Sequence, residues 1–122
     1  MRTKILIIGS TGKLGSLILN FCYKKKIEIF GIACFSNTKK LIQQKNKYLI
    51  KNFFSLSNSY DKKNFLLFLS KNELDIIYFL DYGSYSLTYL DIILKNRYKS
   101  YIAIANKEMI IAGSHLINEK LR

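Results

Sequence analysis

The stretch from Lys4 to Gly15 reads KILIIGSTGKLG and decides the fold. Its first half is a short apolar run, which is typical of a parallel strand buried on both faces. Three glycines follow with the spacing GxxGxxG, and apolar residues then recur at helical spacing from Lys13 to Tyr23. Such a turn lets the backbone approach a phosphate closely, and the helix amino end supplies free amides for it. The pattern favours a nucleotide-binding βα unit over a turn that only packs the helix on the strand.

Strand patterns and helix patterns alternate along the rest of the chain. Strands are predicted at 4–8, 27–33, 48–50, 75–80 and 100–105, and helices at 13–23, 38–46, 62–71, 86–95 and 108–121, with 51–61 as a loop. This order predicts an α/β domain over residues 1–122, with a Rossmann-like, doubly wound, mainly parallel sheet covered by helices on both faces. The predicted core consists of Ile5, Ile7, Leu17, Phe21, Ile29, Ile32, Ile76, Tyr78, Ile93, Ile102 and Ile104.

The composition is strongly basic but does not favour a nucleic-acid partner. The net charge is +12 over 122 residues, and only Arg2, Arg97 and Arg122 among the 20 basic residues are arginine. Nucleic-acid surfaces favour arginine because its planar guanidinium makes bidentate contacts. Lysine, isoleucine and asparagine are abundant while proline and tryptophan are absent, which is the pattern of an AT-rich coding sequence. We therefore interpret the charge as a solvated lysine surface, with nucleic-acid binding as the weaker alternative.

The sequence also indicates a cytoplasmic protein that does not enter a membrane. No apolar run approaches the ~20 residues that a membrane-spanning helix needs. The N-terminal apolar stretch is shorter than the hydrophobic region of a signal peptide. Cys22 and Cys34 lie inside apolar segments and are expected to be buried thiols rather than a disulfide.

The second predicted strand bears on the choice of nucleotide. An NAD site usually has an acidic residue near the end of this strand to hold the ribose hydroxyls. Residues 35–40 read FSNTKK and contain no acid. Ser36, Asn37, Lys39 and Lys40 offer donors and positive charge instead, which suits the 2′-phosphate of NADP, although the two lysines are equally consistent with a solvated helix surface.

A second motif, Ala105-Asn106-Lys107-Glu108, ends the last predicted strand. Ligands bind beyond the carboxyl ends of strands in an open α/β sheet, so these polar side chains are placed where a site is expected. Together with Gly9-Ser10-Thr11-Gly12-Lys13-Leu14-Gly15, Ser36-Asn37, the Leu41-to-Gln44 segment and Ala112-Gly113, this motif makes the chain resemble 1-deoxy-D-xylulose 5-phosphate reductoisomerases.

The resemblance implies a set of roles for these residues. NADPH would contact the glycine turn from Gly9 to Gly15, including Ser10, Thr11, Gly12, Lys13 and Leu14, then Ser36 and Asn37, and finally Asn106 and Glu108. Lys107 would contact the sugar-phosphate substrate. The family converts 1-deoxy-D-xylulose 5-phosphate to 2-C-methyl-D-erythritol 4-phosphate for isoprenoid synthesis, with NADPH as reductant and Mg²⁺ or Mn²⁺ polarising the substrate oxygens.

The chain also departs from the family pattern. The glycine-rich segment after the fourth strand is reduced to Gly83 between Tyr82 and Tyr85, and no cluster of acids resembles the family's metal ligands. We expect the catalytic and C-terminal helical regions to be absent, so this chain is assigned neither catalytic residues nor metal ligands and is not expected to act as an enzyme alone. An eroded, non-catalytic nucleotide-binding remnant is the alternative, and dimerisation is left open.

Overall fold

The computed structural model describes residues 3–80, residue 91 and residues 100–104. Five parallel strands form one sheet in the order β3-β2-β1-β4-β5. The strands are β1 (Ile5–Ile8), β2 (Gly31–Cys34), β3 (Asn52–Ser55), β4 (Ile76–Phe79) and β5 (Tyr101–Ile104). The helices of the described part are α1 (Lys13–Lys24), α2 (Thr38–Tyr48) and α3 (Ser59–Lys71). The predicted α/β class with a parallel sheet is therefore confirmed.

Helices cover both faces of the sheet because successive strand residues point to opposite sides. On one face, Leu19 of α1 and Leu41 of α2 pack with Ile5, Ile7 and Ile32 of the central strands. On the other face, Phe65, Phe68 and Leu69 of α3 pack with the alternate residues Leu6, Ile8 and Ile77. The central strands are buried on both sides, which explains why β1 is apolar at every position.

The rotation of α1 differs from the prediction. Leu17 and Phe21 were expected in the core, but they are 59% and 56% exposed. The buried residues of α1 are Gly15, Leu19 and Cys22 instead. The prediction was wrong because it followed the bulky apolar residues, whereas close contact between Gly15 and the preceding turn fixes which side of the helix faces the sheet.

The region from 48 to 61 also differs from the prediction. Tyr48 ends α2, and Leu49 caps that helix in the left-handed conformation with 85% of its surface exposed, so no strand covers 48–50. The predicted loop at 51–61 instead contains β3 and the first turn of α3. Phe54 packs on the α3 side of the sheet while Phe53 packs on the α1 and α2 side, as the alternation of a strand requires.

Most of the remaining predicted core is confirmed in position. Ile5, Ile7 and Ile32 are buried. A second group of predicted core residues is half-buried and packs against the core on one or the other face of the sheet. These residues are Ile29, Ile76, Tyr78, Ile102 and Ile104. Ile93 and the helices predicted at 86–95 and 108–121 lie outside the described residues, apart from Asp91. Cys22 and Cys34 are buried thiols that form no disulfide, as expected, and burial raises the pKa of the Cys22 thiol.

Candidate functional site

The glycine turn lies at the point where the strand order reverses. From β1 the chain proceeds to β2 and β3 on one side, then crosses to β4 on the other side of β1. Ile8 of β1 is level with Ala33 of β2 and Phe79 of β4, so these strands end at one edge. The crevice beyond such an edge is where open α/β sheets bind ligands.

Gly9 begins the turn in a conformation that favours glycine. Its φ is 95°, in the region that L side chains rarely adopt. The amides of Gly9 and Ser10 both donate to the Ala33 carbonyl, at 2.8 and 3.3 Å, and the Gly12 amide donates back to the Gly9 carbonyl at 3.2 Å. The turn is therefore fixed to the end of β2 through its own backbone.

Gly15 allows α1 to approach this turn closely. A Cβ atom at Gly15 would lie 2.1 Å from the Gly9 carbonyl oxygen and 2.7 Å from the Ser10 Cα. Both neighbours are backbone atoms, so a longer side chain could fit only if the helix or the turn moved. Gly9 and Gly15 thus serve the packing of the turn, and they set the place where the helix amino end emerges.

The amino end of α1 carries no side-chain cap from the described residues. Gly12 occupies the N-cap position with φ −74° and ψ 172°, and the first turn has no acidic residue. The first amides of a helix have no partner within the helix, and the helix dipole adds a partial positive charge there. An uncapped amino end beside a glycine turn has the geometry and charge that suit a phosphate group.

The loop after β2 lies at the same edge and presents side chains rather than amides. Ser36 and Asn37 are exposed, and residues 35–40 bring no carboxylate to this edge. Asn37 has a structural task as well, since its Oδ1 accepts a hydrogen bond from the Lys40 amide at 3.2 Å and caps α2. Its side-chain NH₂ group has no hydrogen-bond partner among the described residues and can still donate to a ligand.

The second motif falls outside the described residues. β5 ends at Ile104, which is level with Phe79 of β4 at the same edge as the glycine turn. Asn106, Lys107 and Glu108 follow within four residues of Ile104, and Ala112-Gly113 comes after them, but none of these belongs to the described part of the chain. Their predicted roles stay predictions.

Sequence reasoning did not assign a role to Gln44, although the structure places it directly behind the turn. Gln44 is buried in α2, and its Nε2 donates to the Ser10 carbonyl at 2.7 Å and to the Ser16 Oγ at 3.3 Å. The available signal was an amide side chain three residues after Leu41, on the helix face that turns inward.

The described residues hold neither a cluster of metal ligands nor a membrane-spanning helix. Within 3–80, 91 and 100–104, no group of three or more His, Cys, Asp or Glu side chains is arranged to hold a metal ion. Over the same residues, no helix has the length and apolar character to cross a membrane.

Two proteins that resemble this chain in sequence carry the same enzyme name. No protein-family model matches the chain. The 1-deoxy-D-xylulose 5-phosphate reductoisomerase of Pelagibacter ubique is 32% identical over 98% of the chain, and that of Malacoplasma penetrans is 30% identical over 99%. The alignments cover 35% and 32% of these relatives, so the chain spans about a third of their length.

Solved structures match the same fold. A Zymomonas mobilis 1-deoxy-D-xylulose 5-phosphate reductoisomerase in complex with NADPH superimposes with a TM-score of 0.78, at 17% identity, over 100% of this chain and 36% of that one. A DOX-P reductoisomerase with fosmidomycin and magnesium gives a TM-score of 0.79 at 15% identity, over 97% of this chain and 34% of that one. These likenesses establish the Rossmann-like fold of the described sheet and helices.

Proposed function

We propose that this chain, which is homologous to the N-terminal third of 1-deoxy-D-xylulose 5-phosphate reductoisomerases, is an NADPH-binding domain over residues 1–122. The observation that carries the proposal is the uncapped amino end of α1 beside the glycine turn at the switch point of the sheet. The pyrophosphate of the cofactor would lie against the amides that follow Ser10, with Thr11, Gly12, Lys13 and Leu14 closest to it.

The 2′-phosphate would lie at the loop after β2. Ser36 and the Asn37 side-chain NH₂ are exposed there, and Lys39 and Lys40 in the first turn of α2 supply positive charge. A carboxylate at this position would repel the 2′-phosphate, and residues 35–40 contain none. This arrangement supports NADPH over NADH.

The nicotinamide end of the cofactor is proposed to meet Asn106 and Glu108, and the sugar-phosphate substrate to meet Lys107. We further propose that turnover to 2-C-methyl-D-erythritol 4-phosphate requires the regions that make up the other two thirds of the family's length. A divalent ion, Mg²⁺ or Mn²⁺, would act with those regions by polarising substrate oxygens. Residues 1–122 alone would then bind NADPH without reducing substrate.

Two further proposals concern the cellular location and the oligomeric state of the protein. A cytoplasmic location is supported by the two buried cysteines, whose reduced thiols suit a reducing compartment. Self-association as a homodimer is also proposed, and the exposed apolar side chains of α1, including Leu17 and Phe21, are the feature that supports it.

The proposal is tested by titrating the purified chain with NADPH and, in parallel, with NADH, using calorimetry and cofactor fluorescence. Saturable binding of NADPH that is at least about tenfold tighter than that of NADH is expected. The Lys39→Ala/Lys40→Ala double variant should reduce this preference, while the matched pair Lys62→Ala/Lys63→Ala on α3 should leave it unchanged. A folded chain that binds neither nucleotide would contradict the proposal and favour the eroded remnant.

A further inference from the structure

Gln44 joins three elements of the site through one buried amide group. Its Nε2 donates to the Ser10 carbonyl at 2.7 Å and approaches the Ser16 Oγ at 3.3 Å, and that hydroxyl itself donates to the Ser10 carbonyl at 3.2 Å. The Gln44 side chain comes from α2, Ser16 belongs to α1, and Ser10 belongs to the glycine turn. The Ser10 carbonyl is therefore held from two sides.

Fixing this carbonyl also fixes the next amide. The peptide unit is planar and trans, so the N–H of Thr11 points opposite to the C=O of Ser10. No cis peptide bond occurs among the described residues. With the Ser10 oxygen drawn inward to Gln44, the Thr11 N–H is directed away from α2, and no backbone acceptor for it is found among the described residues.

Burial of Gln44 is not explained by stability alone. Its Oε1 and the Ser10 Oγ are both buried without a hydrogen-bond partner in the described part of the chain, and the residues are 6% and 0% exposed. Leaving buried polar atoms unpaired is unfavourable, and an apolar side chain of similar volume would avoid it at the Gln44 end. A glutamine at this position therefore indicates a requirement for its N–H donor.

We propose that Gln44 is a positioning residue for phosphate binding, because it holds the Ser10 peptide so that the Thr11 amide faces the phosphate of the cofactor. This inference rests on the proposed NADPH site and deepens it. Gln44 contacts no cofactor atom itself and acts through the turn. Because it belongs to α2, it also ties the glycine turn to the helix that begins beside Ser36 and Asn37, so the two phosphate subsites form one rigid unit.

The test compares Gln44→Met with Gln43→Met, its exposed neighbour on the same helix. Methionine keeps the volume and removes the donor. We expect Gln44→Met to weaken NADPH binding about tenfold, the size of a lost orienting hydrogen bond. Binding of adenosine 2′-monophosphate, which lacks the pyrophosphate, should change less than about twofold, and Gln43→Met should affect neither ligand.

A second readout does not depend on the cofactor. In the ligand-free chain, the ¹⁵N–¹H amide resonances of Thr11 and Gly12 should move in Gln44→Met and stay in place in Gln43→Met. If the chain fails to bind NADPH at all, the proposed function is contradicted, while these shifts still decide whether Gln44 orients the turn. Unmoved resonances would overturn the positioning role.

Two other results would also contradict it. Equal weakening of NADPH and adenosine 2′-monophosphate in folded Gln44→Met would indicate general loosening rather than orientation of the turn. If Gln44→Met does not fold, Gln44→Glu replaces it and is assayed at a pH at which the buried carboxyl is ionised, since a carboxylate keeps the shape but cannot donate. Unchanged NADPH affinity in folded Gln44→Glu would overturn the proposal.

Discussion

The amino ends of α1 and α2 lie at the same edge of the sheet but differ in how they are capped. α2 begins after Asn37, whose side chain accepts from the Lys40 amide, whereas α1 begins after Gly12, which has no side chain to accept anything. α3, on the opposite face, resembles α2, since Asn58 accepts from the amides of Tyr60 and Asp61 at 2.9 and 3.1 Å.

This difference separates an end built for stability from an end that is open to a ligand. An asparagine cap stabilises a helix by about 1 kcal/mol relative to alanine at the same position. A glycine there stabilises the helix only slightly less than asparagine does. The cap side chain, however, occupies the amides that an anion would use. At α1 the amides are left free at small cost, and the close contact with Gly15 compensates by fixing the helix to the turn.

The largest expected effect is a loss of stability when a side chain is added at Gly15, where α1 contacts the glycine turn. Alanine at an interior helix position is normally about 1 kcal/mol better than glycine, but the Cβ of Gly15→Ala would lie 2.1 Å from the Gly9 carbonyl oxygen. We expect the free energy of unfolding to fall by about 3 kcal/mol or more, as measured by urea denaturation.

Gly31→Ala is the matched control for this prediction. Its Cβ would lie 3.2 Å from Phe68 Cζ and 3.3 Å from Leu6 Cδ1, which are the ends of side chains and can shift. The loss should stay within about 1 kcal/mol. Equal losses in the two variants would show that Gly15 is no tighter than an ordinary core glycine.

The second prediction separates NADPH binding from folding stability at the amino end of α1. Gly12→Asp places an acceptor at the N-cap, so the free energy of unfolding should stay the same or rise slightly. Its carboxylate would occupy the free amides and repel a phosphate, so NADPH affinity should fall by roughly 100-fold, or ~2.7 kcal/mol.

Gly12→Asn provides the neutral counterpart, with nearly the same shape and no charge. It should weaken NADPH binding by less than Gly12→Asp does, because only the occupation of the amides remains. If both variants bind NADPH as the parent chain does, the α1 amino end is not the pyrophosphate site.

The smallest effects distinguish the two capped helices. Asn37→Ala and Asn58→Ala should each lower the free energy of unfolding by about 1 kcal/mol, because each removes a cap. Only Asn37→Ala should also weaken NADPH binding, by a few-fold, since Asn58 lies on the other face of the sheet. Calorimetric titration of both variants checks this, and identical NADPH affinities would remove Asn37 from the proposed site.

Sequence patterns located the glycine turn and the alternation of strands and helices well, because glycine spacing and continuous apolar runs report backbone requirements directly. They failed on the rotation of α1, where Leu14, Leu17 and Phe21 form an apolar stripe that turned out to be exposed. Periodicity alone identifies a stripe, whereas the side that faces the sheet is set by Gly15, whose missing Cβ carries no hydrophobic signal.

The third strand was missed for a similar reason, because its hydrophobic pattern alone is weak. Asn52 and Ser55 flank Phe53 and Phe54, and the polar ends made this short edge strand look like a loop. Their polar side chains have local partners, since the Asn52 side chain donates to the Phe30 carbonyl and the Ser55 hydroxyl hydrogen-bonds with the Thr38 hydroxyl at 2.7 Å. The Gln44 network was missed for a related reason, because a buried hydrogen bond between distant segments leaves no periodic trace.

The most direct test of the α1 site is an amide NMR titration of the ¹⁵N-labelled chain with NADPH. The account predicts that the largest shifts fall on the amides from Thr11 to Gly15, with much smaller shifts at the capped amino end of α3 from Ser59 to Asp61. Saturable binding with its largest shifts away from the glycine turn would contradict the assignment of the uncapped helix end as the phosphate site.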